Sequence, residues 1–246
     1  MKQTVMITGG ASGIGALLGK CCAEEGKNVV LVDIDQKALD ARIAEIGQKE
    51  GELVGIVADV TDYAQVGRAR DFAVSRFGSI DILICCAGGA ELRLLNRSGT
   101  FWELPVDTYD FSIDLNLKGP IYFAHAVMAQ MAKQEHGVII LLGSITGQEG
   151  CSVNIGYAAS KSALMNGVVK SLALAGAEHN IRCVCVAPGP VLTRQGMAGM
   201  KPLCGRAAQP QELVDMILYA ASEKCAFLNG TTILMDGGRS IMFNKQ

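Results

Sequence analysis

The chain has 246 residues, of which half are hydrophobic and 19% charged, with a formal net charge of −2. One domain of that length buries roughly 70–75% of its unfolded surface without help from disulfides or metals, and a half-apolar chain of low net charge falls outside the disordered class. The slightly acidic balance also lacks the electrostatic footprint of a nucleic-acid binder or of a protein drawn to anionic membranes.

Seven short apolar, β-branched runs alternate with segments whose apolar residues recur at helical spacing. The predicted strands are Thr4–Thr8, Asn28–Asp33, Leu53–Asp59, Ile82–Cys86, Val138–Leu142, Arg182–Val186 and Thr231–Met235. The predicted helices are Ile14–Glu25, Gln36–Glu50, Ala64–Phe77, Asp107–Lys133, Ile155–Glu178 and Pro210–Ser222. Runs such as Val29-Val30-Leu31-Val32 are apolar throughout instead of alternating, the pattern of parallel strands buried on both faces. Strand–helix alternation implies right-handed crossovers. The expected architecture is therefore α/β: a doubly wound, seven-stranded parallel sheet with helices on both faces, in a single domain over residues 1–246. No repeat, low-complexity tract or linker-like shift in composition divides it.

The nine cysteines, at positions 21, 22, 85, 86, 151, 183, 185, 204 and 225, include no Cys-x-x-Cys and no histidine at metal-ligand spacing. Most lie in apolar runs and read as small hydrophobes in a reducing compartment. No signal-peptide core follows Met1, and no apolar stretch approaches the ~18 residues of a membrane span. The expected location is the cytoplasm.

In open α/β sheets ligands bind beyond the carboxyl ends of the strands. After the first predicted strand comes Thr8-Gly9-Gly10-Ala11-Ser12-Gly13-Ile14-Gly15, which opens a helix. Glycines let the backbone turn and approach a pyrophosphate, and the helix N-terminus offers free N–H groups and partial positive charge. The alternative is a Gly-rich turn without a ligand; the strand–loop–helix context favours a dinucleotide. Asp33 ends the second strand, where a carboxylate accepts hydrogen bonds from an adenosine ribose and repels a 2′-phosphate. With Lys37 the only nearby cation in the sequence, NAD(H) is favoured over NADP(H); an ordinary exposed carboxylate is the competing role. After the third strand, Asp59 can meet the adenine amino group and Val60 can cover the ring, with a helix N-cap at Asp59 or Thr61 as the alternative.

The strongest signal is Tyr157-Ala158-Ala159-Ser160-Lys161. On a helix, positions i and i+4 share a face, so the Lys161 ammonium can approach the Tyr157 phenol. A free tyrosine titrates near pH ~10, so a phenolate base working near neutrality needs a close cation. Ser144 follows the fifth strand, where its hydroxyl can bond a carbonyl or alkoxide oxygen. A surface Tyr and Lys on an amphipathic helix is the bland alternative. Pro120 lacks the N–H that would bond the carbonyl of Asn116, which leaves that carbonyl to kink the helix and admit a water; a simple bend is the other reading.

These residues resemble the short-chain dehydrogenases/reductases in their single-domain form, over essentially the whole chain. The resemblance rests on Thr8-Gly9 through Gly15, Asp59, Asn116, Ser144, Tyr157-x-x-x-Lys161, Pro188-Gly189 with Thr193, and Asp236-Gly237-Gly238. It implies a Rossmann-type sheet and a hydride-transferring oxidoreductase. Tyr157 would be the general acid/base and Ser144 would position the reacting oxygen. Lys161 would lower the tyrosine pKa and bind the nicotinamide ribose, and Asn116 would hold a relay water. Gly9, Ser12, Gly13, Ile14, Gly15, Asp33, Asp59, Val60, Cys86, Ala87, Gly88, Tyr157, Lys161, Pro188, Gly189, Val191 and Thr193 would line the cofactor. Cys85-Cys86-Ala87-Gly88 departs from the family's Asn-Asn-Ala-Gly, and because a thiol bonds weakly only a backbone contact is expected of Cys86.

Residues 89–104, 145–156 and 190–208 are expected to wall the substrate pocket, with Gly196 and Gly199 marking a mobile lid. Their mixture of polar groups with Trp and Met suits a sugar, polyol or hydroxy acid as well as a steroid-like alcohol. The leading expectation is NAD(H)-dependent interconversion of a secondary alcohol and its ketone. The alternatives are reduction of a 3-oxoacyl thioester and a non-catalytic dinucleotide sensor or scaffold. No metal is expected. The two long helices carry small and apolar residues on more than one face, so a homodimer or homotetramer is expected.

Overall fold

Alternate residues of each strand enter different cores, so the sheet must be covered on both sides. In the computed structural model, which describes residues 2–242, Met6, Val30, Val32, Ile139 and Leu141 point into one apolar layer. Val5, Ile7, Val29, Leu31, Val138 and Ile140 point into the other. The strands are β1 (Thr4–Thr8), β2 (Asn28–Asp33), β3 (Leu53–Val57), β4 (Ile82–Cys85), β5 (Gly137–Leu142), β6 (Ile181–Pro188) and β7 (Thr231–Met235). They form one seven-stranded sheet in the order β3-β2-β1-β4-β5-β6-β7, parallel throughout. The doubly wound, Rossmann-type expectation is met.

The helices are α1 (Gly13–Glu24), α2 (Gln36–Ile46), α3 (Tyr63–Phe77), α4 (Glu91–Leu94), α5 (Asp107–Ile113), α6 (Gly119–Gln134), α7 (Ile145–Glu149), α8 (Ile155–Ala163), α9 (Val169–Gly176) and α10 (Pro210–Ala221). Leu18, Leu39, Leu213 and Ile217 carry α1, α2 and α10 onto one face, while Val66, Phe123 and Val169 carry α3, α6 and α9 onto the other.

The structure corrects several predicted boundaries. The third strand stops at Val57 because the Asp59 carboxylate draws the Thr61 N–H (2.8 Å) and hydroxyl (2.7 Å) into a turn. The helix expected to reach Glu50 ends at Ile46, where Gly47 (φ +66°) turns the chain and returns its N–H to Ile43. The N-cap of α3 is Asp62, accepting from Ala64 and Gln65, and neither Asp59 nor Thr61 takes that role. Each long predicted helix contains a π turn, Asp114–Lys118 between α5 and α6 and Leu164–Val168 between α8 and α9. The first precedes Pro120, which has no N–H to give the Asn116 carbonyl. In the second, the Met165 carbonyl accepts from the Thr232 hydroxyl at 2.5 Å.

All nine cysteines are free. Burial pushes the Cys22 thiol up to about 12 and Cys185 to about 11, which suits inert packing over reactivity. Among the described residues, no cluster of His, Cys, Asp and Glu could hold a metal, and no helix is long and apolar enough to cross a membrane.

Candidate active site

Strand order reverses between β1 and β4, and the loops beyond their carboxyl ends open a crevice. The loop after β1 is shaped by its glycines. Gly9 has φ +67°, and a Cβ there would stand 2.8 Å from the Ala87 nitrogen; a Cβ on Gly15 would strike the Gly9 carbonyl. Gly13 (φ +53°) instead faces open space at the start of α1, whose N-cap Ser12 makes no side-chain bond to the first turn. Uncapped N–H groups at Gly13, Ile14 and their neighbours, aimed into space that a side chain would have filled, fit a diphosphate.

Asp33 does more than border this cradle. One carboxylate oxygen accepts from the Ala11 N–H at 3.0 Å, and the other from Ile34 (2.8 Å) and Asp35 (3.3 Å), so it staples the glycine loop to β2. Arg42, from α2, donates to the Ala11 carbonyl at 3.3 Å and pairs with Glu45 at 2.6 Å. This second cation, which the sequence reading missed in favour of Lys37, reaches the loop because α2 folds back over it. Asp59 is half-buried at the end of its strand. The Val60 side chain packs against Gly119 inside the core, so little of it is left to cover a ring. Ala87 donates its N–H to the Thr8 hydroxyl at 3.1 Å, which ties the two loops together. Burial raises the thiol pKa of both Cys85 and Cys86.

The structure brings Asn116, Ser144, Tyr157 and Lys161 to the ends of β4 and β5. Lys161 is buried, and its Nζ donates to the Leu142 carbonyl at 2.7 Å and stands 5.5 Å from the centroid of the Tyr157 ring. Ser144 caps α7, its Oγ accepting from Thr146 at 3.1 Å. A Cβ on Gly147 would lie 2.6 Å from the Ser162 nitrogen, so only a glycine lets α7 pack this closely on α8. Asn116 is fully buried; its amide clamps Gly89 by accepting from that N–H (2.9 Å) and donating to that carbonyl (3.0 Å). The neighbouring Gly88 is the strip between Asn116 and Lys161: a Cβ there would sit 2.5 Å from Asn116 Oδ1 and 3.7 Å from Lys161 Nζ. A cation, a phenol and a hydroxyl thus share one end of the sheet, beside a cradle for an anion.

The family model described as short chain dehydrogenase matches residues 3–201. The chain belongs to the short-chain dehydrogenase family. It is 32% identical over 246 residues to the 3-oxoacyl-acyl-carrier-protein reductase FabG of Thermotoga maritima, covering 96% of this chain and 97% of that one. It is 31% identical over 249 residues to D-threitol dehydrogenase of Mycolicibacterium smegmatis, covering 97% and 93%. Among solved structures, a short-chain type dehydrogenase/reductase from Mycobacterium marinum superposes with a TM-score of 0.88 at 30% identity, over 96% of this chain and 94% of that one. Short-chain dehydrogenases are oxidoreductases that act on alcohols and ketones with a nicotinamide dinucleotide.

In this short-chain dehydrogenase β6 ends at Pro188, beside β7. A Cβ on Gly189 would lie 2.8 Å from the Asp236 Cα, so Pro188-Gly189 runs tightly beside the turn after β7. Val191 is buried and pairs with Ala208 in a short parallel bridge, and Thr193 bonds back to Val191, so the 190–208 segment is anchored at both ends. Gly196 and Gly199 lie between those anchors with open space around them. Several polar wall residues are already committed within the fold. Arg97 pairs with Asp107 (2.6 Å) and Thr108, Glu149 with Arg239 (3.3 Å), and Asn154 accepts from the Leu92 N–H. Arg93 is exposed, with its guanidinium against Gly89.

Proposed function

We propose that the chain is an NAD(H)-dependent dehydrogenase that interconverts a secondary alcohol and its ketone, with Tyr157 as general acid/base. The observation that carries this reading is the Lys161 ammonium, fixed by Leu142 and facing the Tyr157 ring at 5.5 Å. That places a buried positive charge beside the side chain that exchanges a proton with the substrate hydroxyl. The Ser144 hydroxyl, beside the same strand end, donates to the alkoxide or carbonyl oxygen and orients it. Asn116 keeps the Gly88–Gly89 strip in place beside Lys161. When bound, the nicotinamide dinucleotide supplies the hydride acceptor. Gly9, Ser12, Gly13, Ile14 and Gly15 would hold its diphosphate, Asp33 and Asp59 would border its adenosine, and Cys86, Ala87 and Gly88 would approach it through backbone. Pro188, Gly189, Val191 and Thr193 would run past its nicotinamide end. The Asp33 carboxylate at the ribose end favours NAD over NADP, because it repels a 2′-phosphate.

Reduction of a 3-oxoacyl thioester is the second reading, favoured by the similarity to FabG. One assay separates the two. D-threitol, other polyols, hydroxy acids, hydroxysteroids and an acetoacetyl thioester are offered with both cofactors and followed by NADH or NADPH absorbance. Oxidation of an alcohol with NAD is expected; thioester reduction with NADPH alone overturns the leading reading. Tyr157→Phe is expected to lower turnover at least ~100-fold, within the range of general acid–base catalysis, with NADH affinity unchanged within about threefold. Undiminished turnover overturns the assigned role, and its loss excludes a scaffold that only binds dinucleotide. Self-association rests on outward apolar side chains, Leu174 being 79% exposed; light scattering at the mass of one chain contradicts it.

A further inference from the structure

Glu91, at the start of α4, has no solvent exposure, and the reaction outlined above does not use it. Its carboxylate accepts from the Gly156 N–H at 2.9 Å, from the Tyr157 N–H at 3.2 Å and from the Ser112 hydroxyl at 3.1 Å. The two N–H groups belong to the first turn of α8, whose own N-cap, Asn154, makes no side-chain bond to that helix. Asn154 instead reaches across to α4, where its Oδ1 accepts from Leu92 at 3.2 Å. The two helices have exchanged caps: each takes its side-chain acceptor from the start of the other, with 62–66 residues between partners. In an ordinary capping box both acceptors sit on one helix and fix only its own first turn. Here the exchange fixes the first turn of α8 against the loop that follows β4.

The same carboxylate continues toward the crevice. Ser112 Oγ lies 3.3 Å from the Asn116 amide nitrogen, and that amide clamps Gly89. Glu91 is therefore the junction between the main chain of Tyr157 and the Gly88–Gly89 strip opposite Lys161. A carboxylate without water is tolerated there because three donors and the positive end of a helix compensate it. Being enclosed, it touches neither substrate nor cofactor.

We propose that Glu91 is a positioning residue for Tyr157, holding the catalytic helix in register with the mouth of the crevice; this rests on the role assigned to Tyr157 above. Glu91→Ala frees the first turn of α8. Amide exchange at Gly156 and Tyr157 is expected to accelerate at least ~10-fold, as loss of a cap implies. Turnover of the best substrate in the panel above is expected to fall about 10- to 100-fold, the scale of a small misplacement of a reacting group, while NADH affinity stays within about twofold. Glu91→Gln keeps an oxygen that can accept from both N–H groups and is expected to recover turnover to within about threefold of the parent. Asn154→Ala, which removes the reciprocal cap and leaves the carboxylate in place, is expected to lower turnover about three- to tenfold and serves if Glu91→Ala does not fold. Parent-like exchange at those two amides overturns the proposal. So does turnover within twofold of the parent in the folded alanine variants, or a turnover loss matched by an equal loss of NADH affinity. If no panel compound is oxidised or reduced, the dehydrogenase reading fails by itself, and the exchange measurement still decides whether Glu91 holds Tyr157.

Discussion

Lys161 is joined to Leu142 by a hydrogen bond of 2.7 Å from its Nζ to the last carbonyl of β5. That bond fixes the side chain at a strand end, with the ammonium on the face of the helix that carries Tyr157. The lysine is thus a part of the sheet's edge as well as a charge, and both functions depend on one flexible side chain being held straight.

Lys161→Met removes the charge and leaves the Leu142 carbonyl without its partner. Turnover is expected to fall at least ~100-fold, and the melting temperature to fall by a few degrees, since an unpaired buried carbonyl costs about 1–3 kcal/mol and each kcal/mol shifts a domain of this size by about 2–4 °C. Steady-state kinetics and a thermal scan on one preparation check both. A normal rate with a lowered melting temperature would reduce Lys161 to a structural role.

Asp33→Asn removes the charge and leaves one oxygen where two accept backbone N–H groups, so it also loosens the staple between the glycine loop and β2. The NAD-to-NADP ratio of kcat/KM is expected to fall at least ~10-fold, because hydrogen bonds to a charged acceptor are worth about 1.5–3 kcal/mol and the repulsion of a 2′-phosphate disappears. With Arg42 only 3.3 Å from the Ala11 carbonyl, a 2′-phosphate gains a nearby cation once the acid is gone.

Gly13→Ala and Gly15→Ala separate conformation from space. At Gly13 the left-handed backbone strains an alanine by about 1–2 kcal/mol, but nothing obstructs its Cβ. At Gly15 the Cβ meets the Gly9 carbonyl and must displace the loop. NADH titration by fluorescence is expected to show the larger loss of affinity, at least ~10-fold, at Gly15.

His136 bonds to the largely buried Asp81 at 2.6 Å and to the Gln134 carbonyl at 2.9 Å, and these two bonds raise its pKa above the ordinary histidine value. A raised folded-state value means stability that is complete below the unfolded pKa of ~6.5 and is lost as pH rises through the folded value. The melting temperature of His136→Gln is therefore expected to lie furthest below the parent at pH below ~6.5 and to converge with it as pH rises past the raised folded-state value. The imidazole is 57% exposed, so the difference stays within about 1 kcal/mol, or about 2–4 °C.

The segment between the Val191 and Ala208 anchors is expected to close over bound cofactor. Limited proteolysis within residues 192–207 should slow several-fold on adding NADH. Equal rates would show that Gly196 and Gly199 confer no movement linked to binding.

The sheet could be read from the chain because strands buried on both faces are apolar throughout, and because chemistry in such folds gathers just beyond strand ends. Tyr157 and Lys161 were legible for a local reason: one helical turn puts them on one face. Pro120 signalled a disturbance near Asn116, expected as a kink, where the structure has the π turn Asp114–Lys118; the π turn at Leu164–Val168 has no proline and no comparable signal. Glu91 was invisible because its donors lie 21, 65 and 66 residues away, and no spacing rule links positions that only tertiary folding brings together. Arg42 was passed over for Lys37 because nearness along the chain stood in for nearness in space. The packing of Val60 against Gly119 was equally out of reach of local spacing, since the two lie on separate elements.

The π turn at Leu164–Val168 interrupts the long helix between its catalytic half and its packing half. One extra residue in the turn sets everything downstream back by about 100° around the axis, so Val169 and Ala173 come round to the buried side that Lys161 shares, where an unbroken helix would carry them about 100° further. One buried side therefore serves both halves, and deleting a single residue between 164 and 168 would swing Val169 and Ala173 off the core while Tyr157 and Lys161 kept their seat.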